Sequence, residues 1–125
     1  MRKLKPSILL PLLLILAACV GTKSAYQAAD TLDEQAYVIT EHYAAVVKEA
    51  ANLAQQPGTP RKLVEGMQAA DRAAKPIIVG LAPVVARYTA IKNAQTEAEL
   101  QAAVNDALLA LTNLINSVKA ARNAS

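Results

Sequence analysis

The sequence predicts an all-α protein, an up-down-up antiparallel three-helix bundle that follows a cleaved export signal. Three observations predict it. Apolar residues recur at alternating steps of three and four through three long segments, capping and turn-forming residues separate those segments, and no stretch shows the strict alternation of a half-buried strand. The segments cover about 25–56, 60–93 and 96–121, within a domain of 25–125.

In the first segment Leu32, Ala36, Ile39, Tyr43, Val46, Val47, Ala50 and Leu53 fall on one stripe. Two starts are available, Ser24 with Gln27 and Thr31 with Glu34, and the earlier is preferred because Ala25 and Ala29 continue the stripe. Asp30, Asp33 and Glu34 suit a first helical turn, where acids oppose the positive end of the helix dipole. Pro57-Gly58-Thr59-Pro60 then stops the chain, with Thr59 expected as the next N-cap and Pro60 as the first helical residue.

The second stripe runs Leu63, Met67, Ala70, Ala74, Ile77, Leu81, Val84, Tyr88 and Ile91. Thr96 and Glu99 read as a capping box that opens the third, in which Leu100, Val104, Ala107, Leu111, Leu114 and Val118 share a face. Connections this short force neighbouring helices to run antiparallel. The core is thin: there is no Phe or Trp, and many stripe positions are Ala, which favours helix but buries little area.

Between Pro76 and Ala86 the second segment is apolar on every side. The two prolines, Pro76 and Pro83, each remove a bond to the carbonyl four residues back and bend the helix in one direction. Val79 and Ala86 point away from the predicted core, so Val79, Ala82, Pro83 and Ala86 are candidate partner-binding residues. Leu109 is a further candidate, on a nearly uncharged face of the third segment with Ala102, Asn105, Thr112, Asn113 and Asn116. Tyr26 and Tyr37 project together from the first segment.

Nothing in the sequence has the pattern of a catalytic or metal centre. His42 is the only histidine and lies at the edge of an apolar stripe, where it reads as a boundary residue rather than a base. Gly58, Gly66 and Gly80 form no phosphate-binding loop. The expectation is a protein with no metal, no cofactor and no enzymatic activity.

The N-terminus carries a different signal. Arg2, Lys3 and Lys5 precede an apolar run from Ile8 to Ala18, too short to cross a bilayer but matched to the core of an export signal. The run ends in Leu16-Ala17-Ala18-Cys19, and Cys19 is the only cysteine in the chain, so no internal disulfide is possible. The divisions are 1–18 for the signal, 19–24 for the cysteine and its tether, and 25–125 for the bundle. Three of the thirteen Lys and Arg residues precede Cys19 and none of the ten acids does, which leaves ten bases against ten acids after cleavage. A formally neutral chain without charge runs is no nucleic-acid binder.

Leu16-Ala17-Ala18-Cys19 resembles the lipobox of bacterial lipoproteins. The resemblance implies cleavage between Ala18 and Cys19, a diacylglycerol on the Cys19 thiol, and a fatty acid such as palmitate on its amine. Val20 is not the aspartate that resembles an inner-membrane retention signal, so the periplasmic face of the outer membrane is implied in a Gram-negative host. As a whole the chain is similar to small helical lipoproteins of Gram-negative bacteria and their prophages, although it lacks the proline-rich stretch of a short lysis lipoprotein. The tether 20–24 reaches only ~15–20 Å, and two acyl chains anchor stably where one is marginal. Two functions fit: a non-catalytic protein-binding module in the envelope, which is preferred, and a self-assembling structural lipoprotein that pairs through the Val79–Ala86 face.

Overall fold

The computed structural model describes residues 31–124. Cys19, Ala18, the rest of the signal, the tether and Tyr26 lie outside the described residues. Four helices follow in order: α1 (Leu32–Gln55), α2 (Arg61–Val79), α3 (Leu81–Ala90) and α4 (Ala94–Ala124). With α2 and α3 taken as one broken arm, they form the expected all-α, up-down-up three-helix bundle, and no strand occurs among the described residues.

Helix α1 opens at the later of its two candidate starts. Thr31 is extended (φ −129°, ψ 160°), and its hydroxyl accepts the Glu34 amide at 3.3 Å, with Asp33 and Glu34 in the first turn. A threonine that caps in this way is where the described helix begins; Ser24, the other candidate start, lies outside the described residues. At the far end Gln56 is extended because Pro57 follows it, and its amide returns to the Leu53 carbonyl at 3.1 Å.

Helix α2 also starts one residue later than predicted. Pro60 (φ −59°, ψ 138°) is the cap, its carbonyl accepting from Leu63 and Val64, while Thr59 is buried inside the turn. Proline fixes φ but leaves ψ open, so it serves outside the first turn as well as within it.

The predicted continuous 60–93 helix is broken at Gly80. Its amide still reaches the Pro76 carbonyl at 2.9 Å, but the α-helical ladder restarts at Leu81. The restart places Pro83 in the first turn of α3, where a missing amide costs no helical bond. Pro76 is accommodated inside α2. Before the break the stripe steps four residues from Ala74 rather than three: Ile78 is buried and Ile77 is 39% exposed, the reverse of the expected facing, and Leu81 is buried as expected.

Helix α4 is capped by Asn93, not Thr96. The Asn93 side chain accepts the Thr96 amide at 2.9 Å while the Thr96 hydroxyl accepts the Asn93 amide at 3.1 Å, a reciprocal box set three residues before the predicted one. Glu99 is thereby free for Arg87 on α3, whose Nε and Nη2 both donate to it at 3.3 Å.

The core centres on α4. Every residue of its predicted stripe is buried, joined by Ala110 and Ala121. Against it pack Ala36, Ile39, Val46 and Leu53 from α1, Met67, Ala74 and Ile78 from α2, and Leu81 from α3. Both arms lie extensively along α4 but meet each other only sparingly. Arg122 near the end of α4 donates to Glu49 of α1, with Nε at 2.7 Å. Counting back from that pair along the two parallel helices, Leu32 lies level with Asn105. Residues 94–104 of α4 therefore overhang the start of α1, on the side of α3.

Candidate functional site

The sparse meeting of α1 with α2 and α3 leaves an open groove between them. Its wider part, about 790 Å³, is lined on one side by Tyr37, Tyr43 and Val47 and on the other by Val79, Ala82 and Ala86. Tyr37 is 67% exposed and Val79 61%, so its two lips carry large unburied apolar surfaces. Asp33 sits at its end, and the Thr31 hydroxyl bonded to it holds its carboxyl below the usual range. The groove continues toward the α1–α2 turn as a narrower hollow of about 330 Å³ between Val47, Ala50, Val64 and Met67.

A polar bridge crosses this cleft. The Tyr43 hydroxyl donates to Asp71 Oδ1 at 2.5 Å, joining α1 to α2 where the two hollows meet. Burial, with the hydrogen bond and the negative charge of Asp71 behind it, pushes the phenol up to about 12. A phenol held neutral in this way braces the two helices.

The proposed partner-binding residues do not form one surface. Val79, Ala82 and Ala86 line the groove, opposite Tyr37, with Pro83 exposed beside them. Leu109, 64% exposed, lies between α2 and α4 in a separate hollow of about 320 Å³, next to Ile77, Ala73 and Asn113. The sequence missed Ile77 as its neighbour because Ile77 was placed in the core. It also missed Tyr43 and Asp71, for which no local signal exists: they are 28 residues apart and meet only through the packing of two helices.

His42 is half-buried on α1, and desolvation lowers its pKa. Among the described residues no three His, Cys, Asp or Glu side chains gather as a metal site, and no helix is long and apolar enough to cross a membrane. No family model, curated protein or solved structure matches the sequence.

Proposed function

We propose that the chain is a membrane-anchored, non-catalytic lipoprotein that acts as a protein-binding module in the cell envelope, on the periplasmic face of the outer membrane in a Gram-negative host. The observation that carries this reading is Leu16-Ala17-Ala18-Cys19 at the end of the Ile8–Ala18 apolar run, with Cys19 the only thiol. The binding role is supported by the two separate exposed apolar surfaces, the Tyr37–Val79 groove and the Ile77–Leu109 hollow.

Metabolic labelling with a palmitate analogue tests the anchor. The wild-type chain takes up label and sediments with membranes, whereas Cys19→Ser stays unlabelled and uncut by the lipoprotein peptidase. An unlabelled wild type, or normal processing of Cys19→Ser, refutes it. For the binding role, a photo-crosslinker at position 109 gives one discrete adduct with an envelope protein and none at Asn52, which is exposed on α1. Equal yields at both positions would count against a dedicated surface.

A further inference from the structure

We propose that the turn between α3 and α4, with Tyr88, Ile91 and Lys92, rests on the lipid surface to which the chain is anchored. The contact presupposes the Cys19 anchor and adds which end of the bundle meets the bilayer. The two ends are unlike. At the far end lie the Pro57–Pro60 turn and the close of α4, and no large apolar side chain is exposed there among the described residues. At the near end the chain enters α1 at Thr31, with the α3–α4 turn beside it. Asp33 of the first turn lines the groove with Ala82, Val85 and Ala86 of α3, and its carboxyl, lowered mainly by the Thr31 hydroxyl, also feels the charge of Lys92. Tyr37, Ile77, Val79 and Leu109 are exposed along the flanks of the bundle, whereas Ile91, 61% exposed, stands at this end.

The exposure of Ile91 is built into the turn. Its backbone is extended (φ −136°, ψ 98°), its amide donates to the Arg87 carbonyl at 2.9 Å, and its carbonyl accepts the Thr96 hydroxyl at 2.5 Å. Helices on both sides thus hold the residue where it cannot fold back into the core. Lys92 places its ammonium over the ring of half-buried Tyr88, 5.7 Å from the centroid. An aliphatic side chain, an amphipathic ring and a cation on a flexible stem form the set that suits the boundary of hydrocarbon and headgroups.

Chain length favours this end over the other. Residues 20–30 join Cys19 to Thr31 and, fully extended, span at most ~40 Å. At ~1.5 Å per residue, the 24-residue α1 carries the Pro57–Pro60 turn a further ~36 Å away. One isoleucine holds a free protein on a bilayer only weakly, but on an anchored chain the contact is intramolecular and a weak one suffices. Asp33, Glu34, Glu97 and Glu99 outnumber Arg87 and Lys92 at this end, so the surface it fits is zwitterionic and not anionic.

The test uses the lipidated full-length chain in phosphatidylcholine vesicles whose headgroups carry a nitroxide quencher. Acylation consumes the Cys19 thiol, so an introduced cysteine is the single labelling site. A fluorophore on Ala94→Cys, exposed beside the turn, is expected to be quenched roughly threefold more strongly than one on Gly58→Cys in the far turn. Adding Ile91→Asp to Ala94→Cys should abolish that difference with helical circular dichroism unchanged. Equal quenching at the two positions overturns the contact, as does quenching at 94 that survives Ile91→Asp or that requires added phosphatidylglycerol. A turn that crosslinks to an envelope protein in cells yet stays unquenched in vesicles overturns it in favour of a protein partner. Palmitate incorporation, measured on the same samples, separates the two readings. A labelled chain with an unquenched turn overturns the turn contact alone, and an unlabelled chain overturns the anchor and the contact together.

Discussion

The Tyr43 hydroxyl on α1 donates to the Asp71 carboxylate on α2 at 2.5 Å, a side-chain hydrogen bond across the cleft between these helices. Because α1 and α2 otherwise meet sparingly, this bond contributes to their spacing as well as to stability. Tyr43→Phe is expected to cost about 1–3 kcal/mol, the range for a hydrogen bond to a charged group, and Asp71→Ala a similar amount. Urea titration followed by helical circular dichroism measures both, and the double variant should lose less than the sum of the two.

The same phenol predicts a pH dependence. Its pKa is raised to about 12 from an ordinary value of 10.0, so the folded state favours the neutral form. The stabilisation is complete below pH 10 and is lost as pH rises from there through 12. Thermal midpoints of wild type and Tyr43→Phe should therefore converge over that interval. A constant difference across it would show that the phenol's ionisation is not linked to folding.

The two possible capping boxes of α4 make opposite predictions. Asn93→Ala removes the side chain that accepts the Thr96 amide and is expected to cost about 1 kcal/mol. Glu99→Ala breaks only the exposed pair with Arg87 and should cost no more than about 0.5 kcal/mol. A larger loss from Glu99→Ala would reinstate Thr96 as the cap.

Within α4, Leu109 and Leu114 have the same side chain and opposite surroundings. Leu114 is fully buried and Leu109 is 64% exposed. Leu114→Ala is expected to destabilise the bundle by about 2–5 kcal/mol, and Leu109→Ala by less than about 0.5 kcal/mol. Denaturant midpoints at equal slope give both values.

How much of this was legible depended on whether a local pattern had competitors. The α4 stripe was, because Leu100 through Val118 leave one polar face and a single phase. The Pro76–Ala86 stretch is apolar all round, so its phase could not be read, and Ile77 was exchanged with Ile78. At Asn93 and Thr96 two side chains can cap, each with a polar residue three positions later, and propensity does not separate them. For the groove, the sequence identified Val79, Ala82 and Ala86 as unburied. It did not identify the opposite lip, because whether Tyr37 and Val79 line one groove depends on how two helices dock.

The overhang of α4 beyond α1 divides the molecule by how firmly it is held. From 107 to 118 the helix is flanked by both arms, whereas 94–104 leans on α3, a ten-residue helix that begins at a break and ends at Ala90, just before Ile91, which is 61% exposed. A hairpin supported on one side opens from its tip inward, and it does so without dissolving the rest. Backbone amides between 84 and 100 should accordingly exchange with solvent through brief local openings, and those of the 107–118 stretch only when the whole bundle comes apart.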